Sequence, residues 1–220
     1  MSYRKVPLVK NELYHVYNSS IAGFKIFNCA KEYQRLLDLA IFYLLEDTPC
    51  AFSVFKKLKK SSSLPAPVQL DYTYRAVIII AYCIMPTHIH FVLKQLTKDG
   101  ISTFMNRISQ GYAQYFNKKY KRKGPLWEGR FKNVLVDTDN YFEHLTRYIH
   151  LNPVTACIVD KPEDWAYSSY REYVGLAKGS TKVCSFAEYL NMDILEYSKF
   201  VNDRISYQRE LAMIKNLTLD

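Results

Sequence analysis

Hydrophobic and polar positions along the chain recur at two periods, and the switches between them mark the elements. Leu13-Tyr14-His15-Val16-Tyr17-Asn18 is β-branched and aromatic and predicts a first strand. Over residues 30–46, Tyr33, Leu36, Leu37, Ala40 and Leu44 recur at helical spacing, and Pro49 closes the helix. Residues 72–85 contain Val77-Ile78-Ile79-Ile80-Ala81, which is apolar on both faces and predicts a central strand covered on both sides. Pro86-Thr87 turns the chain, and residues 88–94 return as its neighbour. Residues 97–120 predict a second amphipathic helix with Ile101, Phe104, Met105, Ile108, Tyr112 and Phe116 as its apolar stripe. Lys132-Asn133-Val134-Leu135-Val136 is a short strand. The order β-α-β-β-α-β predicts an α+β, ferredoxin-like (RRM-like) fold: one antiparallel sheet with two helices on one face.

Asp137-Thr138-Asp139 is a helix start signal, and the helix should run until Asn152-Pro153. Phe142, Leu145 and Ile149 would bury, with Tyr141, His144 and Tyr148 on an adjoining face. Asn152 could share that face one turn later, but Pro153 biases it away from helical geometry. Lys56-Lys57-Leu58-Lys59-Lys60, followed by Ser61-Ser62-Ser63-Leu64-Pro65-Ala66-Pro67, reads as an exposed loop whose lysines are either solvated or in touch with phosphates. After Asp164-Trp165-Ala166-Tyr167-Ser168-Ser169-Tyr170 the chain is Leu/Tyr-rich with helical patches at Phe186, Tyr189 and Leu190. Residues 1–175 are expected to form one domain. Residues 176–220 are expected to be a helical C-terminal extension packed on or next to it.

The chemistry begins at Met85-Pro86-Thr87-His88-Ile89-His90. In a strand, side chains alternate, so His88 and His90 share one face while Ile89, Phe91 and Leu93 enter the core. Two adjacent imidazoles are either satisfied structural histidines or a bidentate arm for a divalent metal. His15, inside the first strand, is expected to be structural. The net charge of +9 favours a polyanionic partner, nucleic acid ahead of a membrane surface. Lys118-Lys119-Tyr120-Lys121-Arg122-Lys123 suits a phosphate backbone with a stacked base, or is a solvated helix end. No stretch approaches the roughly eighteen apolar residues of a membrane span, and Met1-Ser2-Tyr3-Arg4-Lys5-Val6-Pro7 carries no signal-type apolar region. Five scattered cysteines without a C-x-x-C pair fit a reducing compartment. A cytoplasmic, nucleoid-associated protein is the expectation.

An ordered set of segments carries a family resemblance: Tyr14-His15-Val16-Tyr17-Asn18, Met85-Pro86-Thr87-His88-Ile89-His90, Leu126-Trp127-Glu128-Gly129-Arg130-Phe131, Tyr148-Ile149-His150-Leu151-Asn152-Pro153-Val154 and Trp165-Ala166-Tyr167-Ser168-Ser169. Over residues 7–175 the chain resembles the HUH single-tyrosine transposases of the insertion-sequence-200-like family, most closely the REP-associated branch. The resemblance implies that His88 and His90 hold Mg²⁺ or Mn²⁺, with Asn152 as a further metal ligand. It implies that Tyr148 is the nucleophile, forming a 5′-phosphotyrosine on single-stranded or hairpin DNA without ATP. His144, one turn before Tyr148, is a candidate to accept the phenol proton or hold the phosphate. Lys118, Lys119, Lys121, Arg122, Lys123 and Arg130 are candidate DNA contacts. Trp127 either stacks on a base or anchors the strand from the core. The compact family members are dimers that exchange tyrosine helices, so a monomer and a homodimer both stand. Three alternatives remain at this point: another HUH nuclease such as a replication initiator or relaxase, a non-catalytic RRM-like binder, and a domesticated transposase.

Overall fold

A computed structural model describes residues 7–60, 73–177 and 182–207. Strands β1 (Leu13–Ser19), β2 (Val77–Ile84), β3 (His88–Gln95) and β4 (Lys132–Val136) form one sheet in the order β2-β3-β1-β4. Every pairing is antiparallel. This is the ferredoxin-like sheet that the element order predicts.

Helices α1 (Ala30–Phe42) and α3 (Gly100–Lys119) cover one face of the sheet. Strand alternation sends Tyr14 and Val16 of β1, and Ile89, Phe91 and Leu93 of β3, into a core with Leu36, Leu39 and Ala40 of α1 and Phe104, Met105 and Ile108 of α3. The two helices meet closely at Gly111, where a Cβ would stand 3.0 Å from Leu39 Cδ2.

The opposite face is covered mainly over β2 and part of β3, with Val136 at the end of β4. Helix α4 (Asp139–Thr155), the short α5 (Tyr170–Tyr173) and α6 (Ile194–Asn202) close a second core there around Ile80, Ala81, Cys83 and Val92, with Phe142, Leu145, Ile149, Tyr173, Tyr197 and Val201. A bulge serves this arrangement. Ile79 pairs with Leu93 and Ala81 with Val92, so Ile80 is the extra residue. Ile80 and Ala81 both enter the second core, while Ile79 and Tyr82 remain in the first.

His150 of α4 joins three elements. Its Nδ1 lies 2.7 Å from the Tyr197 hydroxyl of α6 and its Nε2 2.8 Å from Ser169 Oγ. Ser169 Oγ in turn donates to the Tyr82 carbonyl and accepts from the Tyr82 amide of β2. With the serine proton spent on Tyr82, His150 donates from Nε2 and accepts from Tyr197 at Nδ1, which is one neutral tautomer with both nitrogens satisfied. Burial pushes its pKa from 6.5 down to about 3.

Three boundaries differ from the sequence expectation. The first helix ends at Phe42 instead of Glu46 because the Leu44 carbonyl accepts from Ala76 (2.7 Å) and Leu45 bridges Arg75, drawing the chain towards the start of β2. The lysine-rich stretch expected as a loop is helical over α2 (Phe52–Lys60), because Phe52 and Phe55 both pack on Phe42 and Lys56 pairs with Asp38 at 3.0 Å. The Ser61-to-Pro67 part of that expectation lies outside the described residues, as do Tyr72 and the chain beyond 207. Finally, α4 does not stop before Pro153 but runs through it to Thr155. Proline forfeits one intrahelical bond; burial of Leu151, Pro153 and Val154 offsets that loss and keeps Asn152 helical.

The His150 link is testable through proton linkage. Its folded pKa lies below its ordinary value, so at acid pH the unfolded chain binds the extra proton. The stability that neutral His150 contributes is whole above pH 6.5 and is lost as pH falls towards about 3. Urea titrations of His150→Phe should show a loss of ~2–4 kcal/mol at neutral pH, from the stranded Tyr197 hydroxyl and the lost bond to Ser169, and a shallower decline with acid than in the parent. An unchanged acid slope would contradict the assignment.

Candidate active site

His88 and His90 stand on β3 on the face away from the α1/α3 core, as alternation requires. Their rings meet edge to face with centroids 5.0 Å apart. Each is gripped through Nδ1: His88 by Thr87 Oγ1 at 3.0 Å, His90 by Nε2 of His15 at 2.9 Å. Nε2 of each makes no hydrogen bond among the described residues. Burial lowers the pKa of His88, and it lowers that of His90 further, with His15 and His88 as neighbouring imidazoles adding to the effect. Both rings are therefore neutral near pH 7, the form that binds metals.

Tyr148 reaches this pair from α4. Residues Leu145 and Ile149 tie α4 to the second core over β2, and Tyr148 projects from the helix flank, 47% exposed, with its ring edge-on to His90 at 5.8 Å. Asn152 follows one turn later and donates Nδ2–H to the Tyr148 carbonyl at 3.1 Å, leaving Oδ1 without a hydrogen bond among the described residues. Thr138 caps the helix, accepting from the Tyr141 amide.

Other predicted residues lie elsewhere. His144 Nδ1 is taken by Arg147 at 2.6 Å, and its ring packs against Phe200 of α6 at 5.6 Å. Among the described residues it makes no hydrogen bond to Tyr148. Trp127 is a buried anchor and not an exposed platform: it is 9% exposed, and Nε1 donates to the Ser109 carbonyl at 3.0 Å. The basic run ends α3, on the sheet face opposite the histidines. Lys119 is bound to the fully buried Glu32 at 2.6 Å, which also accepts from the Tyr120 hydroxyl, and Arg122 is held by Asn117 and Gly124. Lys118, Lys121 and Lys123 make no ion pair among the described residues. Arg130 is placed differently. It lines a cleft of about 250 Å³ with Tyr17, Asn18, Ser19, Glu128, Gly129 and Lys132. Tyr17 connects that cleft to the histidines, its ring 5.9 Å from His90.

Sequence reasoning missed His15, Tyr17 and Thr87. Strand alternation on β1 does put His15 and Tyr17 on one face, but only the register, with Tyr17 opposite His90, brings them to the pair. That register cannot be read from either strand alone.

The donor set suits a divalent cation: two neutral imidazoles anchored from behind, with an amide oxygen on the helix that carries Tyr148. Among the described residues, no cluster of three or more His, Cys, Asp or Glu side chains is placed to hold a metal.

Residues 69–152 match the family model described as "Transposase IS200 like". The chain is similar to the IS200-like transposases. A Haemophilus influenzae protein named for REP-associated tyrosine transposases is 31% identical over 106 residues, which is 43% of this chain and 60% of that protein. The chain thus matches about 60% of that relative's length. A solved structure of a REP-associated tyrosine transposase bound to a REP hairpin superposes with a TM-score of 0.54 at 19% identity, covering 87% of this chain and 99% of the other. That likeness shows the shared α+β fold. Among the described residues, no helix is long and apolar enough to cross a membrane.

The role of Trp127 separates cleanly from DNA contact. Trp127→Phe should lower stability by about 1 kcal/mol through the lost Ser109 bond and leave affinity for single-stranded DNA within roughly twofold, where removal of a stacked base would weaken it by more. Thermal melts and fluorescence-anisotropy titrations would read the two effects.

Proposed function

We propose that this protein is a DNA transposase: a metal-dependent single-strand endonuclease and strand transferase that uses Tyr148 as its nucleophile. One observation carries the reading. An exposed tyrosine on a well-anchored helix stands 5.8 Å from a histidine whose neighbour on the same strand face is a second histidine, and both have a free Nε2. The family match over residues 69–152 supports it.

His88, His90 and Asn152 would hold Mg²⁺ or Mn²⁺, which when bound supplies charge stabilisation at the non-bridging oxygens of a phosphodiester. Tyr148 Oη attacks phosphorus, and the bond from phosphorus to the 3′-oxygen breaks. The phenol proton leaves to solvent and the departing 3′-oxygen gains one, so the products are a 5′-phosphotyrosine and a free 3′-hydroxyl. The ester linkage is conserved in the phosphotyrosine, so rejoining to another 3′-hydroxyl needs no ATP. His144 is engaged by Arg147, which leaves solvent as the simpler acceptor of the phenol proton.

Single-stranded or hairpin DNA is the proposed substrate, in line with the hairpin held by the structurally similar transposase. The half of the sheet that α4 leaves open carries Tyr17 and the cleft with Arg130 and Lys132, which suits an unpaired strand with a stacked base and a tracked phosphate. Lys118, Lys121 and Lys123 extend positive charge at the end of α3. Such a protein would work in the cytoplasm, on nucleoid DNA.

Tyr148→Phe should abolish the covalent adduct with labelled hairpin-bearing single strands on a denaturing gel while binding persists. Adduct formation at the parent level would remove Tyr148 from the nucleophile's role. His88→Ala combined with His90→Ala should eliminate Mn²⁺-dependent cleavage by at least about a hundredfold, with melting behaviour checked alongside. Cleavage of a folded double variant at the parent rate would refute the metal arm.

A further inference from the structure

His15 was expected to be a structural histidine, and nothing in the proposed reaction uses it. The structure gives it a specific relation to the site. It lies on β1, 8% exposed, and its Nε2 is 2.9 Å from Nδ1 of His90. The two rings are tilted by only 18° with centroids 5.2 Å apart. Tyr17 closes the group, stacked on His15 at 5.0 Å and on His90 at 5.9 Å. The antiparallel register that sets Tyr17 opposite His90 places His15 opposite Val92, diagonal to His90, so the contact is built by sheet pairing and not by a loose loop.

A neutral imidazole carries one N–H and one lone pair. Two ring nitrogens at hydrogen-bond distance must therefore present one of each. If His15 were the donor, His90 would accept at Nδ1 and carry its proton on Nε2, closing the nitrogen that could ligate. If His90 is the donor, its lone pair is left at Nε2. His88 has room for the same arrangement: its Nδ1 faces the Thr87 hydroxyl at 3.0 Å, which accepts when the ring proton is on Nδ1. The pair is then presented with two open Nε2 atoms.

We propose that His15 is a positioning residue for the metal arm: it accepts the Nδ1–H of His90, locking the tautomer and ring orientation that leave Nε2 free. The proposal rests on His88 and His90 forming the metal arm. Outer partners of this kind govern metal affinity without touching the metal, and their loss typically costs about 10–100-fold in affinity.

The test uses the full chain with His15→Ala, His15→Leu, which keeps apolar bulk at the position, and His15→Gln, whose amide oxygen can reach the acceptor position. The first readout is the tautomer of His90 in metal-free protein, by long-range ¹H–¹⁵N correlation of the imidazole nitrogens. His90 should be the Nδ1–H form in the parent and in His15→Gln, and should shift to a mixture or to Nε2–H in His15→Ala and His15→Leu. The second readout is Mn²⁺ affinity by electron paramagnetic resonance. Affinity should fall about 10–100-fold in the Ala and Leu variants and stay within about threefold in Gln. A parent His90 protonated at Nε2 would overturn the proposal, and so would parent-level Mn²⁺ affinity in a folded His15→Leu. Mn²⁺ binding that survives in the folded His88→Ala, His90→Ala double variant would refute the metal reading itself. The tautomer measurement still decides the role of His15 in that event.

Discussion

Strand β3 is paired on both edges, packed along the whole of one face and over part of the other, and the period-two alternation of its side chains holds the molecule together. Ile89, Phe91 and Leu93 are wholly buried under α1 and α3. His88 and His90, on the alternate positions, form the candidate site. A slip of one position would turn the histidines into the core and the apolar residues onto the open face. Burial is worth about 25 cal/mol per Å² of apolar surface, so the hydrophobic core guards the geometry of the site without contributing an atom to it. The bulge at Ile80 shows the same logic in β2, where one additional residue lets the strand serve both cores.

Three histidines, His150 and His90 buried and His88 partly so, sort by how completely they are satisfied. His150 is fully buried and bonded at both nitrogens, to Tyr197 and Ser169, so it has nothing left to offer a ligand. His88 and His90 are each bonded at one nitrogen. Burial keeps all three uncharged in a protein of net charge +9. The free cations of the basic run lie on the other side of the sheet, at the end of α3. His88 and His90 each keep one ring nitrogen without a hydrogen bond among the described residues, and that sets them apart from His150 as a pair able to take a ligand.

Most of the fold was legible because it rests on local patterns. β4 matches its expected limits, and the apolar stripe of α3 is buried from Ile101 to Phe116. Errors arose where a distant contact overrode a local signal. Lysines disguised α2, whose stability comes from Phe52 and Phe55 packing on Phe42. Pro153 signalled a helix end, yet burial around Val154 carried the helix onward. The site divided in the same way. His88 and His90 follow from alternation alone, and Tyr148 followed from an ordered family motif. His15 depends on the cross-strand register between β1 and β3, and the burial of Trp127 depends on a carbonyl at Ser109. Neither is encoded within a single segment.

The tyrosine helix is pinned to its own sheet, by Leu145 and Ile149 against β2 and by the histidine at 150 beneath α6. Tyr148 and the imidazole pair therefore stand together within one polypeptide. Helix and strand thus share one core, and whatever shifts α4 on β2 also changes the distance from ring to ring.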